Sequence, residues 1–332
     1  MKIKINELMV LGQKAVKSFG YSDSETQMIL DVLMYAQLRG NNQGLVKLIG
    51  QGIPKDPRAS AIRFIKETRF SVLLDGAYNM AIIVANRAVQ IALGKAAEHG
   101  FGMVGANNTY SSSGAIGYYA RAIAEEGLIG CVFASSPPRV CTHGSYEPVF
   151  GTNPLAIGVP TTDNPVVLDM ATAAIANYGI LEAETAGLEL PPDLTYDGNG
   201  LLTTSPSEAL QGAIRPFDRS YKGAALALIV EILAGPLIGA RFSGLEKTGT
   251  GRGDLILAID PEVLTNRDTF REQVSQLVGK VKDSKKLPGV DEILVPGERG
   301  DRLANERIQS GQLEIEDNLY GELMRKANGE NG

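Results

Sequence analysis

The segment RGNNQGLVKL, at positions 39 to 48, combines one arginine, three side-chain amides, two glycines and one lysine. The amides of Asn41, Asn42 and Gln43 can orient a bound molecule through hydrogen bonds, but they do not ionise near neutral pH. Lys47 is therefore the residue of this segment that can carry out acid–base chemistry, and its charge can also hold an anion. The segment follows an apolar run with helical spacing, so we expect it just after a helix.

Two further polar segments carry groups that could bind or activate a small molecule. In NNTYSSSGAIGYY (107 to 119), three serines precede a predicted helix, where free backbone N–H groups and the helix dipole favour an anion such as a pyrophosphate. Helix capping by one of these serines is the structural alternative. In SPPRVCTHGSYEPVFGTNPLAIGVP (136 to 160), His143 is either a loop histidine bonded to backbone or a group near the substrate. The second histidine, His99, precedes Gly100 at a predicted helix end, where a capping role is expected.

Length, charge and cysteine content narrow the class of protein. A chain of 332 residues that is 44% hydrophobic is expected to form two lobes or one large elaborated domain. A net charge of −6, with no dense Lys/Arg block, predicts that nucleic acid is not a partner. Cys131 and Cys141 are too few for a disulfide framework and lack metal-binding spacing, so we expect a reduced, cytoplasmic protein without a metal.

Neither of the two most apolar candidate segments predicts membrane insertion. The first 20 residues, MKIKINELMVLGQKAVKSFG, predict an amphipathic helix and lack the apolar core of a signal peptide. The longest apolar run, AALALIVEILAGPLIGA (224 to 240), is interrupted by Glu231 and Pro236. A buried helix is therefore expected there, and no membrane partner.

The elements that must position the polar segments alternate between helix and strand in the middle of the chain. Ser22 and Glu25 form a capping-box pattern for a helix that ends near Arg39. Further helices are predicted at 79–99, 114–128, 267–283 and 316–327, strands at 100–108, 129–136, 155–160, 165–170 and 255–260, and mostly loop over 176–215. This alternation favours an α/β fold with a largely buried sheet. GTGRG (249 to 253) precedes a strand and opens no helix, so a loop turn is expected in place of a phosphate site.

The order of these blocks resembles the type 2 malate/L-lactate dehydrogenase family over nearly the whole chain. The matching blocks are GAIGYYA, EEGLIG, FGTNPLAIGVP, VLDMAT, LTTSPSEAL, YKGAALAL, LAIDPE and ILVPGER. The resemblance implies an α/β mixed-sheet fold that is not a Rossmann domain, NAD or NADP as cofactor, and a homodimer with the active site near the subunit interface. We expect a helical domain built from both chain ends (1–68 and 256–332) and a cofactor-binding mixed-sheet domain (69–255).

The resemblance also implies which residues hold the cofactor. The loop at 107–114 would approach the nicotinamide. The residues expected to line the cofactor are Leu168, Asp169, Met170, Ala171, Thr172, Ala173, Ala174, Lys222, Gly223, Gly297, Glu298 and Arg299. The structural alternative is a strand end for Leu168 to Met170 and an exposed lysine in the first helical turn for Lys222.

The catalytic segment departs from the family pattern. Where the family has approximately HGVxRL, with a proton-donating histidine and a carboxylate-binding arginine, this chain has Gln43 and Lys47. Two other family histidines correspond to Ser112 and Tyr221. We therefore expect Lys47 to hold the substrate carboxylate, Gln43 and Ser112 to orient the reacting group, and Tyr221 or His143 to donate the proton.

Three functions are compatible with these substitutions. The first is reduction of a small carboxylate-bearing 2-oxo acid, with Lys47, Tyr110, Tyr221 or His143 as a replacement acid. The second is reduction of a C=N bond, such as that of a cyclic imine carboxylate, because a protonated iminium accepts hydride directly. The third is a non-catalytic, nucleotide-binding relative. The choice between NAD and NADP stays open.

Overall fold

The computed structural model of the protein describes residues 1–240, 242 and 252–329. The α-helices in this part of the chain are α1 (Ile5–Ser18), α2 (Asp23–Leu38), α3 (Ala81–His99), α4 (Gly117–Glu125), α5 (Asn177–Ala186), α6 (Pro206–Gln211), α7 (Tyr221–Ala234), α8 (Arg267–Lys282), α9 (Glu298–Ser310) and α10 (Asp317–Ala327). Short 3-10 helices lie at Leu45–Leu48, Pro236–Ile238 and Pro261–Val263.

The strands form three sheets. They are β1 (Lys2–Lys4), β2 (Arg63–Glu67), β3 (Ser71–Asp75), β4 (Phe101–Asn107), β5 (Ile129–Ala134), β6 (Val140–Cys141), β7 (Pro148–Phe150), β8 (Leu155–Val159), β9 (Val166–Met170), β10 (Thr195–Tyr196), β11 (Leu202–Thr203), β12 (Ala213–Ile214), β13 (Asp254–Ile259) and β14 (Gln312–Glu314). The large sheet has the order β2-β3-β4-β13-β5-β8-β9, and a smaller one has the order β11-β10-β12-β6-β7. In the large sheet β3 and β4 are parallel and the other neighbouring pairs are antiparallel.

In its centre the large sheet is covered on both faces, whereas the edge strand β2 is exposed. Successive side chains of a strand point to opposite faces. On β13, Ile256 and Ala258 join the main core, to which α3 and α4 also contribute. Leu255 faces the other way and packs with Ile238 in a second cluster. Of the strands predicted from the sequence, β4, β13 and β5 are therefore central in this sheet, whereas β9 lies at its edge.

Both chain ends meet on one side of the molecule. β1 pairs antiparallel with β14, and α1 packs against α10. The mixed sheet and the helices from both ends confirm the predicted α/β fold class. β2 and β13 both belong to the large sheet, and β13 lies across the boundary placed at 255/256. The division into domains 1–68 with 256–332 and 69–255 stays a prediction.

Local signals account for most helix ends. Ser22 accepts a hydrogen bond from the Glu25 N–H at 3.3 Å, and Glu25 Oε2 accepts one from the Ser22 N–H at 2.8 Å, which confirms the capping box. At the end of α3, Gly100 has a φ of +76° and donates its N–H to Ala96 O at 2.7 Å. The cap is thus made by glycine backbone, whereas the His99 ring lies 5.7 Å from the Phe70 ring.

Two sequence expectations on secondary structure were wrong. Residues 176–215 contain α5, α6 and three short strands, where mostly loop was expected. α5 begins after Ala176, which makes no side-chain capping bond, so the usual start signal is missing. α9 was also missed, since it begins after Gly297 without a polar cap. Residues 249–251 of GTGRG lie outside the described residues.

The apolar run after position 220 forms α7, but it is buried on one side only. Within the described residues, Tyr221–Ile238 is the one stretch long and apolar enough to cross a membrane by length and composition, and 44% of it is buried inside the protein. Its buried side carries Glu231, whose Oε2 accepts a hydrogen bond from Asn153 Nδ2 at 2.6 Å. Leu228, Ile229 and Ile232 are exposed on the other side. The prediction of a helix is therefore confirmed, but this helix is buried on one side only.

Candidate active site

A cavity of about 400 Å³ brings the polar segments together. The segment after α2 contributes Gln43 and Lys47, and the loop before α4 contributes Ser112. The end of β9, the start of α5 and Arg252 line it as well, and so does the segment after β5, which carries Arg139. Gln43, Lys47 and Ser112 were predicted as one catalytic group, and the structure places all three around the same cavity.

Lys47 lies in the 3-10 helix Leu45–Leu48 and is only 2% exposed. Its Nζ donates a hydrogen bond to Ser112 Oγ at 3.1 Å and lies 4.0 Å from the centre of the Tyr178 ring. Burial, together with the positive charge of Arg252, lowers the pKa of Lys47 to about 7. A lysine in this state can be charged or neutral near physiological pH and can therefore transfer a proton.

The polar loop before α4 is fixed by the segment that leads into β13. Arg252 Nη1 donates a hydrogen bond to Ser111 O, and Ser111 has a φ of +61°. Ser113 Oγ donates to Asp254 Oδ1 at 2.6 Å. Asp254 is only 2% exposed, and its burial raises the pKa of this carboxyl to about 6. Pairing of β13 with both β4 and β5 thus sets the position of the loop.

At the start of α4, where an anion site was expected, the protein itself uses one backbone N–H. The N–H of Gly117, at the start of α4, donates to Asp169 Oδ2 at 2.9 Å. The helix N-cap is Ile116, so the alternative of a capping serine is wrong as well. Ser112 and Ser113 are instead bonded to Lys47 and Asp254.

A second cavity, of about 560 Å³, adjoins the first. The two share Asn41, Asn42 and Asp169 in their walls. The second cavity is lined by Leu168 and by Gly297 and Arg299 from the start of α9, three of the residues expected to hold the cofactor. Their role in binding it stays a prediction. The predicted segments around 168 and 297 are therefore neighbours in space, although 129 residues separate them in sequence.

Asp169 stands at the junction of the two cavities. Its side chain is open to solvent in the cleft but closely surrounded by protein, and this desolvation raises the pKa of the carboxyl to about 6. The accepted bond from Gly117 acts in the opposite direction. A carboxylate at this place can accept hydrogen bonds from hydroxyl groups of a bound molecule.

The arginines around the second cavity differ in their pairing. Arg39 and Arg121 both form ion pairs with Asp301, and the shorter oxygen–nitrogen distance between Arg39 and Asp301 is 3.0 Å. Arg299, in contrast, has no ion pair within the described part of the chain. Its charge is therefore available to an anionic ligand.

The remaining predicted cofactor residues divide into two groups. Met170 and Ala171 line the first cavity, whereas Thr172 is fully buried and donates to Thr152 O and Asn153 O, both at 3.1 Å. Ala173 and Ala174 pack in a small apolar cluster. Glu298 is turned toward Lys282, with which it forms an ion pair.

Like Thr172, Ala173, Ala174 and Glu298, the other four predicted residues lie in neither cavity wall. Lys222 and Gly223 are in the first turn of α7, where the Gly223 N–H donates to Asp218 Oδ1 at 3.0 Å. Tyr221 is 65% exposed, and its ring lies 6.4 Å from that of His143. The structure thus brings Tyr221 and His143 together, but apart from Lys47, and their role in proton transfer stays a prediction.

Arg252 and Tyr178 are site residues that sequence reasoning did not identify. Arg252 belongs to GTGRG, whose glycines were considered while its arginine was not. Tyr178 lies in α5, in the region expected to be loop. A signal was available for Arg252, since it lies three residues before the strand predicted at 255–260.

The described residues fit a nicotinamide dinucleotide. Two adjoining cavities suit a ligand with two halves, and Arg299 offers an uncompensated charge. At Gly297 the φ is +91°, and an added Cβ would lie 3.0 Å from Val167 O. The backbone at the start of α9 therefore approaches β9 more closely than a side chain would permit.

Comparisons with known proteins agree with this arrangement. The family model described as malate/L-lactate dehydrogenase matches residues 3–324. The L-sulfolactate dehydrogenase of Methanothermobacter thermautotrophicus is 33% identical, over 98% of this chain and 96% of that protein. The Delta(1)-pyrroline-2-carboxylate reductase 1 of Burkholderia ambifaria is 33% identical, over 79% of this chain and 80% of that protein. The solved structure of sulfolactate dehydrogenase from Methanocaldococcus jannaschii superposes with a TM-score of 0.84 at 31% identity, over 99% of this chain and 97% of that one.

Proposed function

The chain belongs to the malate/L-lactate dehydrogenase family, and we propose that it is an oxidoreductase which transfers a hydride between NAD or NADP and a small carboxylate-bearing 2-oxo or 2-hydroxy acid. The observation that carries the proposal is the buried, positively charged wall formed by Lys47 and Arg252, next to a cavity lined by the predicted cofactor segments. The names of the sulfolactate-specific relatives support an acidic substrate.

The bound nicotinamide supplies the hydride, and the protein supplies orientation and charge. Leu168 and Asp169 at the end of β9, with Gly297 and Arg299, would line the nucleotide. Arg299 provides positive charge for the phosphate groups of the nucleotide. Lys222, which is exposed in the first turn of α7, is proposed as a further phosphate contact.

The substrate would occupy the first cavity. Lys47 and Arg252 provide the positive charge that a carboxylate requires, and Gln43 and Ser112 orient the reacting group. Lys47 is an ionisable group inside the cavity, hydrogen-bonded to a hydroxyl. This supports a catalytic protein over a nucleotide-binding relative without activity.

Reduction of a C=N bond is the second candidate function. The similarity to a pyrroline-2-carboxylate reductase favours it. A cyclic imine carboxylate would use the same cationic wall for its carboxylate, and its protonated nitrogen accepts hydride without a separate acid. The two candidates therefore differ in whether turnover needs a proton donor.

We also propose that the protein is a homodimer that uses the exposed side of α7. Leu228, Ile229 and Ile232 form an apolar stripe with the spacing of one helix face, and each is between 44% and 52% exposed. Such a stripe on a helix is typical of an interface with another protein surface.

The function is tested by titrating the purified protein with NADH and NADPH in a calorimeter and then assaying a panel of 2-oxo acids and cyclic imine carboxylates. Binding of at least one nucleotide and oxidation of it by a 2-oxo acid are expected. Oxidation by imines alone would establish the second candidate. Absence of nucleotide binding up to millimolar concentration would refute both. Lys222→Ala should weaken nucleotide binding, with the exposed Lys14→Ala on α1 as control.

A further inference from the structure

Three cations line the substrate cavity: Lys47, Arg139 and Arg252. Arg139 is exposed, and its Nη1 donates a hydrogen bond to Leu210 O at 3.3 Å. Lys47 is buried and Arg252 is partly buried, and these two differ in chemistry. Arg252 carries a planar guanidinium whose proton is not released at physiological pH, and whose fork of N–H groups matches a carboxylate. Lys47 carries a single ammonium that releases its proton readily when buried. No carboxylate in the described residues forms an ion pair with either of them.

The position of Arg252 suits it to hold a carboxylate. One nitrogen, Nη1, is held by Ser111 O, which orients the guanidinium in the cavity. That oxygen is a neutral acceptor, so the charge of Arg252 is not neutralised by the bond. Asp254, two residues further, points to Ser113 instead.

The position of Lys47 suits it to deliver a proton. It is fixed between Ser112 Oγ at 3.1 Å and the Tyr178 ring at 4.0 Å, and both partners are uncharged. A neutral hydroxyl does not retain the proton of an ammonium as a carboxylate would. Neighbouring Arg252 and burial both favour the neutral amine.

We propose that Arg252 binds the substrate carboxylate and that Lys47 donates the proton that completes the reduction. This inference depends on the proposed function of the site. It changes the role of Lys47 from carboxylate partner, as expected from the sequence, to general acid. It also supplies a donor in place of the histidine that the family pattern has at Gln43.

When a 2-oxo acid is reduced, a hydride adds to its carbonyl carbon, and the electron pair of the C=O π bond moves to the oxygen. The Lys47 ammonium transfers one proton to that oxygen, forming the hydroxyl group and leaving a neutral amine. After the product leaves, the amine regains a proton from water. The cofactor supplies both electrons, so no other reductant is required.

Kinetics with the conservative variant Lys47→Arg separate the two roles. An arginine keeps the charge but does not release a proton, so kcat for 2-oxo acid reduction should fall by about 10²- to 10⁴-fold with little change in KM. Arg252→Ala should raise KM by about 10- to 100-fold, and Arg252→Lys should restore part of the loss. The control is Arg87→Ala, which removes an exposed guanidinium from α3, outside both cavities.

The pH profile gives a readout that a merely structural role would not change. In the parent, kcat for reduction should decline as the pH rises above about 7, because a general acid must be protonated to donate its proton. This decline should be absent in Lys47→Arg. The ionisable groups nearest to Lys47 are Arg252 and Tyr178. Asp169 and Arg139 lie in the same cavity wall, and Asp254 lies behind Arg252.

Binding of oxamate, an unreactive carboxylate mimic of a 2-oxo acid, tests the inference without turnover. Its affinity, measured by calorimetry, should fall about 10- to 100-fold in Arg252→Ala and stay near that of the parent in Lys47→Met. The opposite pattern, or a parent that does not bind oxamate, overturns the inference. So does a Lys47→Arg variant that retains most of kcat. Failure of the proposed function is recognised separately, by a parent that binds no nicotinamide nucleotide.

Discussion

Lys47→Met should stabilise the protein at low pH although it removes a hydrogen-bonded residue. The fall in the pKa of Lys47 from 10.5 to about 7 means that the charged form of Lys47 destabilises the folded state by about 5 kcal/mol. Loss of the bond to Ser112 and of the contact with Tyr178 costs about 1 to 2 kcal/mol. Ser112 Oγ still accepts a hydrogen bond from the Gly114 N–H at 3.1 Å. The variant should thus be more stable than the parent by about 3 kcal/mol at pH 6.

The sign of the pH dependence follows from the lowered pKa. Between about pH 7 and 10.5 the folded parent binds fewer protons at Lys47 than the unfolded chain, so its stability rises with pH in that window and is lost as pH falls through 7. From pH 6 to 9.5 the parent should therefore gain about 3 kcal/mol relative to the variant.

Urea denaturation of parent and variant at pH 6 and pH 9.5 measures this difference. The control is Lys14→Met, which removes an exposed ammonium from α1 and should leave the denaturation midpoint near that of the parent at both pH values. A Lys47→Met variant that is less stable than the parent by the same amount at both pH values would show that Lys47 is not destabilised by burial, and the argument for its acid–base role would fail with it.

Three other substitutions test the surrounding structure. Asp254→Asn should raise stability at pH 8 by about 1 to 3 kcal/mol relative to pH 4, because the raised pKa of Asp254 makes its charge increasingly costly as pH rises from 3.8 to about 6; a pH-independent difference in urea denaturation would contradict this. Gly297→Ala should lower stability by about 1 to 3 kcal/mol and weaken nucleotide binding, since its φ is +91°; an unchanged melting temperature and affinity would argue against the close approach to β9. Ile232→Glu should convert a dimer to a monomer in light scattering, whereas Leu264→Glu, at a position 93% exposed, should not; a monomeric parent would refute the interface on α7.

Local sequence signals predicted the elements that depend on nearby residues. The capping box of α2 joins residues three apart, and the apolar runs of β4, β5 and β13 are short segments bounded by glycine or polar residues. α5 and α9 escaped prediction because two local signals are weak in both. Neither begins with a polar capping side chain, and each buries one residue only, Ile180 and Ala304. Their helical structure depends on contacts made by the rest of the fold.

The sequence by itself determined which segments carry chemistry, and the tertiary structure decided how they act together. The resemblance to a known family predicted Lys47, Gln43 and Ser112 as one group, and the three line one cavity. Its association of residues 168–174 and 297–299 with a nucleotide stays a prediction. The sequence did not show that Arg252 enters the same cavity, because that follows from the pairing of β13 between β4 and β5. It also did not show that Lys47 is 2% exposed without a carboxylate partner in the described residues. Charge and pKa depend on groups that are distant in sequence and adjacent in space, so only the folded chain sets them.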